Sequence, residues 1–173
     1  MFTRRPRDWG RFHGDLPARW TPKALPLEVA SGLAAFHKCE SLRSVTLPDS
    51  VTLIDKWGFS QCTGLTYIAV PDSVVSISDQ LFYGCTGLTS VTVGSSVKSI
   101  GMSAFDGCTS LTSIVIPDSV VSIGDFAFSD CTLLASIEYE GTMAQWRRVR
   151  KSPMWWEASH QQFVRCADGD LPA

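Results

Sequence analysis

Six cysteines and three histidines are the residues with the most chemistry to offer in this 173-residue sequence. Cys39, Cys62, Cys85, Cys108 and Cys131 fall 23 residues apart, and His37 stands two residues before the first of them. A thiol near a histidine suggests a nucleophile, and an even number of thiols suggests disulfides or a metal. Asp49, Asp72 and Asp118 keep the same register, with Ser95 in the intervening place. Three carboxylates along one edge would suit calcium.

What must position these residues is an internal repeat. The heptapeptide at residues 71 to 77 returns unchanged at 117 to 123, and near-copies at 48 to 54 and 94 to 100 complete a 23-residue period. Repeats of this length signal stacked architectures. Aligning residues 42–64, 65–87, 88–110 and 111–133 gives numbered positions within one coil. Position 1 holds Leu42, Leu65, Leu88 and Leu111, position 4 holds Val45, Ile68, Val91 and Ile114, and position 6 holds Leu47, Val70, Val93 and Ile116. Alternation over β-branched residues at positions 3 to 6 predicts one short strand per coil. Pro48, Pro71 and Pro117 end it in a turn that the following Asp-Ser favours. A second inward run follows, in the valines from Val51 and the isoleucines from Ile54, and then a bend carrying Phe59-x-x-Cys62 and its copies. Such a coil cannot bury its apolar residues alone, so the coils must stack, about 4.8 Å apart.

Stacking changes what the reactive residues can do. Equivalent cysteines in neighbouring coils are spaced like strands with parallel Cβ vectors, whereas a disulfide needs converging Cβ atoms about 3.8 Å apart. The same geometry spreads the sulfurs too evenly for a tetrahedral metal site. The expectation is a buried thiol ladder, with Cys166 alone outside it and Cys39 inert inside it. Each aspartate is read as bonding its own turn rather than a cation. The histidines occupy three unlike contexts, and neither a phosphate-binding glycine loop nor a carboxylate set against a nucleophile is present. The sequence is therefore read as non-enzymatic, with no cofactor and no metal.

The stretch at residues 111 to 132, with leucine, two aliphatics, proline, valine, isoleucine and Phe-x-x-Cys in fixed spacing, resembles the leucine-rich repeats of the BspA-like family, also called the Treponema pallidum type. The resemblance covers about residues 25 to 140. Residues 137–149 and 164–171 also resemble the C-terminal unit that often follows such arrays. The fold expected is a leucine-rich-repeat solenoid of 23-residue coils with short parallel β-strands, mostly β with little helix. Residues 1–24 are an irregular extension, folding over the first coil or disordered. Residues 25–137 hold a degenerate first coil, four full coils and the start of a fifth, and residues 138–173 form a cap. In the cap, Thr142 should start a short helix that places Met143, Trp146 and Val149 on one face and ends at Pro153. Trp155 and Trp156 should close the last coil.

The resemblance implies adhesion and export to the cell surface, whereas the arginine-rich start lacks the apolar stretch of a signal peptide. Either the chain stays inside or its true start lies elsewhere. No apolar run approaches the length of a membrane span. The four full coils carry Arg43, Lys56 and Lys98 against eight aspartates, while both ends are basic, including residues 147 to 151. The basic run is assigned to the solvated face of the cap helix, which disfavours nucleic acid as partner. What remains is a surface. Positions 3 and 5 face outward and offer a small, hydroxyl-rich face on which Arg43, Thr46, Tyr67, Ser90 and Thr92 are candidate contacts for a protein or glycan. Trp57, Tyr83 and Phe126, at positions 16 and 19, lie on the opposite bend, which is the better anchor if they are exposed. The function expected is binding, of the protein–protein or adhesion kind. The alternatives are a structural fragment of a longer surface protein, or an intracellular protein meeting nucleic acid through its basic ends.

Overall fold

The structure, a computed structural model, describes residues 19–20, 34–156 and 163–172. The main sheet is built from one strand per coil: β1 (Arg19–Trp20), β2 (Ser44–Val45), β3 (Tyr67–Ala69), β5 (Ser90–Thr92), β7 (Ser113–Ile116) and β9 (Ser136–Tyr139), continued by β11 (Phe163–Cys166) and β12 (Gly169–Pro172). Every neighbouring pair is parallel except β11 with β12. From β3 to β9 the register steps by 23, Tyr67 facing Ser90, Ser90 facing Ser113 and Ser113 facing Ser136, so the repeat becomes a set of side-chain columns. The array is a leucine-rich-repeat solenoid.

Each coil was expected to carry one strand, and the structure shows two in the coils at residues 65–87, 88–110 and 111–133. The second run pairs into its own parallel sheet, formed by β4 (Ser76–Ile77), β6 (Ser99–Ile100), β8 (Ser122–Ile123) and β10 (Arg150–Lys151). Two residues leave too little alternation to be read as a strand from sequence; pairing between stacked coils is what makes them one.

The inward positions behave as columns. At these positions the leucines, isoleucines, phenylalanines and cysteines of the full coils are buried almost completely. Phe36, Phe59, Phe82, Phe105 and Phe128 form a stack with successive ring centroids 4.9, 5.8, 5.3 and 5.3 Å apart. An eighth inward position, unnoticed in the sequence, holds Gly58, Leu81, Ala104 and Ala127. The sizes are complementary: a Cβ on Gly58 would lie 3.0 Å from the end of Leu81.

The turn after the main strand closes as expected, with the amides of Val51, Val74 and Val120 donating to the carbonyls of Pro48, Pro71 and Pro117. The aspartate acts differently from the expectation. The Asp72 carboxylate accepts from the Ser95 amide of the next coil at 2.6 Å, so it joins two turns instead of bracing its own.

The bend is the least regular-looking part of the sequence and the most constrained part of the backbone. Trp57, Gln80, Ser103 and Phe126 at position 16 have φ between 51° and 58°; Gln61, Gly84, Gly107 and Asp130 at position 20 have φ between 53° and 73°. These left-handed residues turn alternate amides outward along the stack. Trp57, Phe59 and Gln61 donate to the carbonyls of Asp79, Leu81 and Tyr83, and Gln80, Phe82 and Gly84 donate to Met102, Ala104 and Asp106. The amides between them fold back within the coil, as Gly58 does to Asp55. All the amides that cross between bends therefore point the same way, toward the C-terminal neighbour.

The cap ends the stack. Helix α1 (Met143–Trp146) starts at Thr142, whose hydroxyl accepts from the Gln145 amide while the Gln145 side chain accepts from the Thr142 amide, a reciprocal capping box. The helix stops at Trp146 instead of running to Pro153, because residues 150 and 151 leave it to pair with β8. Trp146 packs between Tyr139 and Trp155, and Trp155 meets the edge of Phe128, which seals the phenylalanine stack. The carbonyls of Met154 and Trp155 accept the last bend amides, those of Phe126 and Phe128.

Candidate functional site

The reactive residues are absorbed by the architecture. The thiols of Cys62, Cys85, Cys108 and Cys131 donate to the carbonyls of Phe36, Phe59, Phe82 and Phe105 in the preceding coil, at 3.0 to 3.2 Å. Burial pushes Cys85 and Cys131 up to about 12, and raises Cys62 and Cys108 as well. These are hydrogen-bonded core residues with almost no thiolate at neutral pH, unsuited to nucleophilic attack. Cys39 is buried next to them, so the His37–Cys39 pairing offers no exposed sulfur. Among the described residues, no group of three acidic, cysteine or histidine side chains is placed to hold a metal ion.

The basic run of the cap is also partly committed. Lys151 lies on β10, its ammonium donating to the carbonyls of Trp146 at 2.9 Å and Val149 at 3.1 Å and resting 4.5 Å from the Trp146 ring centroid. Burial lowers its pKa. This lysine satisfies the end of the helix and is turned away from solvent phosphate; Arg147, Arg148 and Arg150 stay exposed.

On the main sheet, strand alternation points positions 3 and 5 outward. Tyr67 is 45% exposed, and its hydroxyl meets Thr92 Oγ1 at 3.2 Å across the next coil, which fixes the ring's direction. Ser90 lies half-buried beside it and Thr46 is exposed at the N-terminal side. Arg43 is exposed, and its guanidinium donates to the Gly64 carbonyl at 3.3 Å.

The candidate residues do not form one site. Trp57 and Tyr83 are exposed on the bend, which is another side of the coil, and Phe126 is half-buried there. Trp57 donates its indole N–H to Gln80. These three occupy separate coils, Trp57 and Phe126 three coils apart in one column of the bend and Tyr83 in another, with no aromatic contact between them among the described residues.

Two features of the surface went unread in the sequence. First, β11 extends the face: Phe163 stands in register with Ser136, and Arg165 with Glu138, both exposed. The column at position 3 therefore runs Ser44, Tyr67, Ser90, Ser113, Ser136, Phe163, and from Tyr67 to Phe163 it spans four strand spacings or about 19 Å. The signal available in sequence was the apolar-polar alternation from 163 to 166, which predicts a strand without naming its partner. Second, the other sheet carries a groove of about 500 Å³ whose floor includes Ser76, Ser99, Ser122, Gly101 and Gly124. Its glycines are required because a Cβ on Gly101 would lie 2.6 Å from the Asp79 amide and carboxylate. At one end Lys56 meets Asp79 at 2.8 Å, a contact that raises the lysine's pKa and lowers the carboxyl's.

Comparison with known proteins agrees with this geometry. The family model described as the BspA type leucine rich repeat region matches residues 32–148 in six copies. A T. pallidum leucine rich repeat protein of known structure is 34% identical with a TM-score of 0.64, over 70% of this chain and 58% of its own. A leucine-rich repeat protein from Bacteroides ovatus ATCC 8483 is 32% identical with a TM-score of 0.55, over 62% of this chain and 34% of its own. A leucine rich cell surface protein from Faecalibacterium prausnitzii A2-165 is 26% identical with a TM-score of 0.51, over 77% of this chain and 50% of its own. No curated protein matches the sequence. The chain thus spans about a third to three fifths of these relatives, and its repeats, their spacing and their stacking make it a member of the BspA-type leucine-rich-repeat family.

Proposed function

We propose that the chain is a non-enzymatic recognition module, acting in adhesion at a cell surface and binding a protein or glycan through the outward face of the main sheet. The observation that carries this reading is Tyr67: a large, exposed, amphipathic side chain whose direction is set by Thr92, standing on a face rich in small hydroxyl residues. A ring held in place loses little entropy on binding and is well suited to anchor a partner. The repeat fold supports the general role, since solenoids work by presenting extended surfaces. The likeness to a cell surface protein of F. prausnitzii supports the location.

The test is capture on beads carrying the wild-type chain or Tyr67→Ala, offered extracellular matrix and cytosolic lysate separately. Saturable retention of one matrix component, weakened in the variant while its thermal unfolding is unchanged, is the expected result. Retention that is equal in both chains removes the assignment to this face, and retention only from lysate removes the surface role.

A further inference from the structure

The row between Tyr67 and Phe163 sets three serine hydroxyls in one strand column between two exposed aromatic rings. Several serine and threonine hydroxyls elsewhere are occupied by the stack. Ser73, Ser78 and Ser119 donate to the carbonyls of Val51, Ile54 and Val97 in the preceding coil, Thr66 and Thr89 do the same toward Arg43 and Thr66, and Ser76 meets Ser99. The hydroxyls of Ser90, Ser113 and Ser136 have no hydrogen-bond partner among the described residues, although they stand in one column at successive strand spacings. Each is free to donate one hydrogen bond and accept others.

An aromatic ring flanks the three serines on each side, Tyr67 45% exposed and Phe163 42% exposed. The neighbouring column at position 5 runs Ala69, Thr92, Val115, Glu138, Arg165, so the two charges near Phe163 are of opposite sign and the centre is uncharged. The backbone of a sheet face is already paired, so an added strand would find no amides there.

A protein partner would find only Val115 as an apolar contact at the centre, a residue type that seldom makes a hot spot, and would have to satisfy three hydroxyls with its own polar groups. A chain of neutral sugars fits both parts. Its rings offer apolar faces to stack on aromatics, and its hydroxyls both donate and accept, as the serines do. We propose that the row from Tyr67 to Phe163 binds a neutral glycan chain laid along the solenoid axis, with Tyr67 and Phe163 stacking on sugar rings about 19 Å apart and Ser90, Ser113 and Ser136 bonding the rings between. This rests on the assignment of recognition to the main-sheet face and names the class of ligand.

The experiment is calorimetric titration of the full chain with neutral hexasaccharides of differing linkage, namely maltohexaose, cellohexaose, laminarihexaose and mannohexaose, and with the corresponding disaccharides. The expected result is saturable binding of at least one hexasaccharide, absent for its disaccharide, and weakened about tenfold or more by Tyr67→Ala and by Phe163→Ala, each removing one stacked ring. Trp57→Ala, on the bend, should bind as the wild type does. Circular dichroism melts of each variant separate lost binding from lost folding. No binding by any hexasaccharide overturns the glycan inference, as does binding that both face variants retain at full strength. A protein captured in a Tyr67-dependent way by a chain that binds none of the sugars overturns it too, and leaves recognition through this face standing.

Discussion

Raising the pH should unfold the array through its cysteine column. Burial is the first cause that lifts Cys85 and Cys131 from an ordinary thiol's 9.0 to about 12; Cys62 and Cys108 are raised by burial and then by the neighbouring thiols. A group whose pKa is higher folded than unfolded contributes fully below the unfolded value and loses that contribution as pH climbs toward the folded one. Between pH 9 and 12 the unfolded chain releases these protons and the folded chain holds them. Each thiol then removes a little over 1 kcal/mol of stability per pH unit. Four thiols acting together from pH 8 to pH 10 remove on the order of 5 kcal/mol, comparable to the entire stability of a modest domain. Urea unfolding under argon with reductant, followed by circular dichroism at pH 7, 8, 9 and 10, measures the loss. A chain carrying Cys85→Ala and Cys131→Ala starts less stable and should lose about half as much over the same range. Tyrosine and lysine ionisation is common to both chains and cancels in the comparison. If both chains lose stability in parallel, the thiol column is not what couples folding to pH.

Other substitutions probe the packing and the cap. Phe105→Ala, in the middle of the phenylalanine stack and fully buried, should cost about 3–5 kcal/mol, read from the urea midpoint, with further loss from the two broken ring contacts. Thr142→Ala should cost about 1 kcal/mol, and Thr142→Ser should restore it, because the capping box needs the hydroxyl. Gly101→Ala should cost about 1–3 kcal/mol, since the new Cβ would overlap the Asp79 amide. Tyr67→Ala should leave the thermal midpoint nearly unchanged, since the ring is half in solvent.

Legibility followed periodicity. Positions 1, 4, 6 and the Phe-x-x-Cys pair recur at one spacing, and all of them proved to be core, because stacking converts recurrence in sequence into contact in space. The second sheet was not legible, since two-residue strands such as Ser76–Ile77 exist only through pairing with the next coil. The left-handed bend was hidden for another reason. Trp57, Gln80, Ser103 and Phe126 share a backbone conformation without sharing any side-chain property. The cap departed most from expectation: the run from Arg147 to Lys151 reads as the end of a helix, and only the free edge of β8 draws Arg150 and Lys151 into a strand. At the site, Tyr67 could be picked out as a lone aromatic on a polar face. Its counterpart Phe163 could not, because it lies outside the repeat and reaches the face through the pairing of β11 with β9.

The one-way amides of the bend give the molecule a sense of direction that its length alone does not. Each coil hands its donors at positions 16, 18 and 20 forward and takes its neighbour's behind, so peptide dipoles line up head to tail through the stack. A whole 23-residue unit can be duplicated or deleted at any internal boundary and the chain of donors and acceptors closes again. A unit set in reverse would face amide with amide and carbonyl with carbonyl. The two ends are consequently not interchangeable: the forward end gives out N–H groups and must finish on something that offers oxygen. Met154 and Trp155 do this with their carbonyls. A terminator for this array is thus defined by its backbone as much as by its tryptophans, and a cap grafted from a stack of opposite polarity would fill the core and still leave the bend's amides bare.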